Sequence, residues 1–282
     1  MKELLALARR CMQDYNMVPP GSRVAVGVSG GKDSLALLYL LSQLRRFYPG
    51  GFELTAITLD MGFEGMDFSP IADFCRAIEV PYVIRQTQMK QVIFDIRKES
   101  NPCALCAKMR RGALNDAALA EGCRVVALGH HFDDVVETVL LSLFYEGRFH
   151  SFSPVTYLSR KDIHCIRPML YIPEREIRNF VRREHLPVVE NTCPADTNTK
   201  REEVKQLLNT LEKQNPGLRG RIFGAVQRQP LEGWEKTPLF PDKQKRTAVP
   251  PFFIFRMLPR PSAALRGVWP GGADRSNGPA RR

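Results

Sequence analysis

The run Val24-Ala-Val-Gly-Val-Ser-Gly-Gly-Lys-Asp-Ser-Leu-Ala-Leu-Leu-Tyr39 leaves few folds open to this chain. An apolar strand, Val24 to Val28, enters a polar turn, Ser29 to Ser34, and a helix begins near Ser34. Gly30 and Gly31 permit backbone conformations closed to other residues and let a ligand come close. The amides of the turn and the free N–H groups of the helix start then face one small concavity. Such a nest favours an anion, and phosphate is its commonest occupant. Lys32 adds a point positive charge, while Ser29 and Ser34 add hydroxyl donors. Asp33 beside phosphates needs a counter-ion such as Mg²⁺, or else caps the helix.

The chain around this run alternates strands and helices. Phe52 to Asp60 reads as a second strand, Pro70 to Ile78 as a helix and Pro81 to Arg85 as a third strand. A helix from about Ala104 to Glu121 precedes strand Arg124 to Leu128, and another runs from about Asp133 to Tyr145. This order predicts an α/β fold with a mostly parallel sheet and a ligand at the carboxyl ends of its strands. Past Ile163 the pattern weakens to a short extended piece, Ile166-Arg-Pro-Met-Leu, and two helices. One helix starts at Pro173, with proline in its first turn, and the other spans Arg201 to Lys213. We expect one domain over 1–228 with a small helical C-terminal part. Residues 229–282, with nine of the 21 prolines and both tryptophans, are expected to form a disordered tail with an apolar patch at Phe252-Phe-Ile-Phe255.

Charge and cysteine usage narrow the setting. The net charge is +11, of which the tail supplies +6 from ten Lys/Arg against four Asp/Glu. The body is therefore only moderately basic, which is compatible with a nucleic-acid partner. No apolar run approaches the roughly 20 residues that span a bilayer, and the first residues lack a signal-peptide core, so a cytoplasmic location is expected. Seven cysteines, an odd number, do not make a disulfide framework.

Two further clusters carry chemistry. Gly129-His-His-Phe-Asp-Asp-Val-Val-Glu-Thr138 follows the fourth strand, which brings His130, His131, Asp133, Asp134 and Glu137 to the sheet edge that holds the phosphate loop. His130, His131 and Asp134 could ligate a metal, although a role with a nucleotide and Mg²⁺ is the simpler reading. Cys103 and Cys106 form a CxxC pair, followed by Lys108, Arg110 and Arg111, whose charge favours thiolate. Cys11, Cys75, Cys123 and Cys165 fall in or beside predicted elements and read as small core residues. Cys193 lies in a polar loop before a proline. Three such cysteines fit a three-thiolate site with one open position, either an Fe–S cluster or a catalytic zinc.

Ser-Gly-Gly-Lys-Asp-Ser is not the Walker pattern and instead resembles the PP-loop of ATP pyrophosphatases, which adenylate a substrate and release pyrophosphate. Together with Cys103-Ala-Leu-Cys106-Ala-Lys-Met-Arg-Arg-Gly112, Leu128-Gly-His-His-Phe-Asp-Asp-Val-Val-Glu-Thr138 and Ile166-Arg-Pro-Met-Leu, it resembles the tRNA 2-thiocytidine synthetases (the TtcA family) over roughly residues 1–215. The resemblance implies an adenine-nucleotide α-hydrolase-like fold, ATP, Mg²⁺, a [4Fe–4S] cluster and a homodimer. It also implies an enzyme, a tRNA sulfurtransferase, that replaces the 2-oxo group of an anticodon-loop cytidine (position 32) with sulfur from a donor such as a cysteine desulfurase. Ser29, Gly30, Gly31, Lys32, Asp33 and Ser34 would hold the ATP phosphates, with Asp60, Gly129, His130 and Asp134 completing the nucleotide site. Cys103, Cys106 and Cys193 would ligate the cluster, and Lys32 and Asp33 would join them in catalysis. Lys108, Arg110, Arg111 and Arg148 are candidates for RNA backbone contact. Alternatives are a PP-loop enzyme acting on another base, of the lysidine- or 2-thiouridine-forming type, and a metal-containing, redox-sensing RNA-binding protein with a vestigial ATP site.

Overall fold

Period-two alternation places apolar side chains on both faces of the central strands. Val24 and Val26 of the first strand pack in the larger core, while Ala25 between them joins a second core on the opposite face. Val125, Val126 and Ala127 divide in the same way. A strand buried on both faces belongs in a parallel sheet covered by helices. The computed structural model, which describes residues 1–97, 102–189, 193, 200–228 and 231–237, has that architecture.

Six strands are ordered β3-β2-β1-β4-β6-β5: β1 Ser22–Gly27, β2 Phe52–Asp60, β3 Tyr82–Gln86, β4 Val125–Ala127, β5 Val155–Leu158 and β6 Ile163–Ile166. All neighbours are parallel except β5, which runs antiparallel to β6 at the edge. The helices are α1 Lys2–Asp14, α2 Lys32–Leu44, α3 Ser69–Ala77, α4 Pro102–Ala120, α5 Phe132–Glu146, α6 Glu174–Arg183, α7 Lys200–Gln214 and α8 Leu218–Arg228. A short π-helical stretch, Gln91–Ile96, precedes α4. The chain winds from β1 outward through β2 to β3, then returns to the other side of β1 with β4. The switch point, where such sheets open a crevice at their carboxyl ends, therefore lies between β1 and β4.

Helix faces follow the sequence. Leu4, Ala8, Cys11 and Met12 bury one stripe of α1. Ala117 and Ala118 of α4 pack with Ile57, Val126 and Ile163 in the second core. Cys11, Cys75, Cys123 and Cys165 are all buried, and burial raises each thiol, Cys75 to about 12, so they serve as inert core residues.

The expected domain end at residue 228 falls short. Trp234 is buried, stacks edge-on against Tyr15 and Phe223, and donates from Nε1 to the Phe152 carbonyl at 3.1 Å. Lys236 pairs with Asp14 at 2.7 Å, and the Thr237 amide donates to the Asp14 carbonyl at 2.9 Å. An indole removed from water at both ends of its ring is a strong anchor, so the body continues through Thr237. The rest of the expected tail, including Phe252 to Phe255, lies outside the described residues.

Candidate functional site

The phosphate-loop geometry starts from one glycine. Gly30 adopts a φ of +88°, and a Cβ there would stand 3.1 Å from the Val189 side chain, so only glycine fits without strain. Ser34 Oγ accepts from the Ser29 amide at 3.2 Å and donates to the Gly31 carbonyl at 2.9 Å, which closes the turn on itself. The first amides of α2 have no intrahelical acceptor and open onto the crevice. Gly129 closes the other side. A Cβ there would lie 3.1–3.2 Å from the backbone of Asp33 and Ser34, so the loop after β4 touches the start of α2.

Charged groups converge on this crevice. Lys32 Nζ lies 2.9 Å from Asp33 Oδ2 and 3.1 Å from Glu174 Oε1. Burial alone would lower the lysine pKa, but Asp33 and Glu174 outweigh it and raise it. Asp33 Oδ1 is buried without a hydrogen-bond partner among the described residues, with His131 Nε2 3.8 Å away. An unsatisfied carboxylate oxygen beside a phosphate nest suits a hard cation such as Mg²⁺. Burial, with Arg167 nearby, pushes His130 down to about 4, so its imidazole is neutral at pH 7. Its ring tilts against Phe152 at 4.8 Å, and its buried Nδ1 has no partner among the described residues.

Asp134 and its neighbours are engaged by backbone and arginine groups. Asp134 Oδ2 accepts from the His131 amide at 2.9 Å, which caps α5, and Oδ1 faces Arg201 at 3.4 Å. Glu137 pairs with Arg201 at 3.0 Å and Asp133 with Arg219 at 2.8 Å. The acidic trio therefore binds α5 to α7 and α8, while Asp33 Oδ1 keeps no hydrogen-bond partner among the described residues. Asp60 stands at the end of β2, where its Oδ1 accepts from the Gly62 amide at 2.9 Å.

The cysteines gather at a second corner. Cys103 and Cys106 lie one turn apart at the start of α4, where the helix dipole favours thiolate. Burial raises the Cys106 thiol, Arg110 pulls it down, and Cys193 and Cys103 raise it further, so the three sulfurs share a neighbourhood. Arg110 acts toward thiolate at Cys106, while burial and the fellow thiols raise that group overall. Among the described residues no three His, Cys, Asp or Glu side chains form a group able to hold a metal ion. Three thiol donors with one open position suit an Fe–S cluster or a catalytic zinc. The two corners are joined. The Val189 amide donates to the Gly30 carbonyl at 3.0 Å. Four residues of chain reach at most about 14 Å, so Cys193 is tethered close to the phosphate loop.

Residues 4–211 match the PP-loop domain family. The chain is 37% identical to the tRNA-cytidine(32) 2-sulfurtransferase of Geobacter sulfurreducens over 80% of its length and 89% of the relative's. It belongs to the tRNA-cytidine(32) 2-sulfurtransferase family of PP-loop enzymes. The corresponding enzyme of Pelobacter propionicus is 38% identical over 77% of this chain and 82% of its own. A solved structure, the U34-tRNA thiolase NcsA of Methanococcus maripaludis with its [4Fe–4S] cluster, matches with a TM-score of 0.65. It is 28% identical, over 81% of this chain and 78% of that one.

Within this family fold, Lys108, Arg110 and Arg111 lie exposed on α4 beside the cysteines, and Arg148 is exposed and paired with Glu146 at 2.6 Å. No helix among the described residues is long and apolar enough to cross a membrane. Sequence reasoning missed Glu174, Lys205, Arg201, Arg219 and Arg167. Arg167 is buried, donates to the Ser153 carbonyl at 2.6 Å and lies over the Phe152 ring at 5.1 Å. Its place in the Ile166-Arg-Pro block was a usable signal; the others carried none.

Proposed function

We propose that this chain is an ATP-dependent tRNA thiolase that replaces the 2-oxo group of cytidine 32 in the anticodon loop with sulfur, by way of an adenylated base. The observation that supports it most directly is the bond from Val189 to Gly30, which ties the chain leading to Cys193 to the phosphate loop. A carbonyl oxygen is a poor leaving group, and adenylation converts it to AMP. The turn amides and Lys32 stabilise the charge that develops on departing pyrophosphate, while Asp33 offers an oxygen to Mg²⁺. Cys103, Cys106 and Cys193 would hold a [4Fe–4S] cluster, which supplies an iron site for sulfur when bound. His130, neutral and buried, can exchange a hydrogen bond with nucleotide or base without adding charge. An unstacked loop base suits such a pocket, and the cations of α4 and Arg148 are suited to its backbone.

The homodimer and a desulfurase as sulfur donor belong to the same proposal through family membership. A 2-thiouridine reading draws on the NcsA likeness, but the cytidine relatives match at higher identity. The test is anaerobic purification with iron, sulfide and zinc analysis, followed by RNA-stimulated pyrophosphate release and nucleoside analysis of the tRNA. Near four irons per chain and 2-thiocytidine support the proposal. Stoichiometric zinc alone, or 2-thiouridine as sole product, overturns it.

A further inference from the structure

Glu174 opens α6 immediately after Pro173. It is 8% exposed, yet it faces three cations. Its Oε1 lies 3.1 Å from Lys32 Nζ and 3.2 Å from Arg178 Nη2, and its Oε2 lies 2.9 Å from Lys205 Nζ. Its amide donates to Asp133 Oδ2 at 2.7 Å, and the other oxygen of Asp133 is held by Arg219. The carboxylate is thus fixed at its backbone as well as at both oxygens.

We propose that Glu174 is a positioning residue for the phosphate-binding Lys32, and that through Lys205 it makes helix α7 part of the same control. This rests on the reading of the PP-loop as an ATP site. Before nucleotide binds, Glu174 holds the Lys32 ammonium at the mouth of the loop. When phosphate oxygens take Lys32, Glu174 keeps Lys205 and Arg178, so no buried carboxylate is stranded without a partner. Burial would raise this carboxyl, but Lys205 and Lys32 hold it down to about 2, so it stays charged through such a handover. Lys205 also decides how tightly Glu174 grips Lys32, because the two ammonium groups share one carboxylate.

The arrangement predicts a signature that a merely structural residue lacks. Glu174 competes with nucleotide for Lys32, so removing its charge frees the lysine for ATP but leaves it poorly aimed at developing pyrophosphate. ATP affinity and turnover of the intact chain would be measured by calorimetry and RNA-stimulated pyrophosphate release, with thermal melting as a control. In Glu174→Gln, ATP binds about threefold tighter, the scale of a partly exposed ion pair. In the same variant kcat falls about tenfold through loss of orientation. Glu174→Asp, which keeps the charge, recovers most of the turnover. Lys205→Met shifts affinity the opposite way, because Lys32 is then held harder and ATP binds about threefold more weakly. This variant decides the matter if Glu174→Gln does not fold. Unchanged turnover in Glu174→Gln, joint loss of affinity and turnover in it, or unchanged ATP affinity in Lys205→Met overturns the proposal. If wild-type protein releases no pyrophosphate with RNA, the functional reading fails, while the opposed affinity shifts still decide the role of Glu174.

Discussion

The nucleotide corner pairs its acids and cations closely, whereas the cysteine corner sets three thiols beside one close arginine, Arg110. Around the phosphate loop Lys32 meets Asp33 and Glu174, Glu174 meets Lys205, and Arg201 and Arg219 answer the acids of α5. At the start of α4, burial raises the Cys106 thiol, Arg110 pulls it down, and Cys193 and Cys103 raise it further. In the first corner Glu174 has Lys205 and Arg178 to pair with besides Lys32. The second leaves three thiols in one neighbourhood with Arg110 as the close cation.

Four measurements test this contrast. The largest effect falls on Cys106→Ala. Thiolation is abolished by nucleoside analysis, while ATP affinity stays within about twofold, as for independent sites; a large loss of ATP binding in the folded variant would merge the two corners into one. Next, Lys32→Ala lowers pyrophosphate release about 10²–10³-fold, the scale for losing one donor to a developing anion, with iron content retained. Wild-type release would remove Lys32 from the chemistry.

The third effect is on acid stability. Glu174 titrates at about 2 in the fold against an ordinary 4.5, so its contribution is present above pH 4.5 and is lost as pH falls toward 2. It amounts to about 2–3 kcal/mol, visible as a steeper decline in denaturation free energy for wild type than for Glu174→Gln across that window. Parallel profiles would deny the carboxylate its stabilised charge. The smallest effect is expected at Arg148, exposed and already paired with Glu146. Arg148→Ala weakens tRNA binding about two- to threefold and flattens its salt dependence by about one counter-ion. An unchanged salt slope would assign Arg148 to the solvated surface alone.

What could be read from the sequence was what is local along it. Strand, turn and helix over residues 24–39 are contiguous, and so are the Cys103/Cys106 pair and the block from Gly129 to Thr138. The ion pairs that give those blocks their setting are not. Arg201 reaches Asp134 across 67 positions and Arg219 reaches Asp133 across 86, and no local pattern announces such partners. This is why the arginine partners of the α5 acids were not read from the sequence. Strand β5 was missed as a four-residue antiparallel edge, and α8 because Gly220 and Gly224 interrupt its helical pattern. Trp234 escaped notice because one aromatic in a proline-rich run has no period to read.

The bond between Asp14 and Lys236 spans 222 positions and carries a consequence for synthesis. At roughly 5–20 residues per second, about 10–45 seconds separate emergence of the two ends of that contact from the ribosome. Through that interval the end of α1 and the ring of Tyr15 lack the lysine and indole that later cover them. The body is therefore sewn shut last, at a seam remote in sequence from the phosphate loop, whose own strand, turn and helix are complete within the first 44 residues.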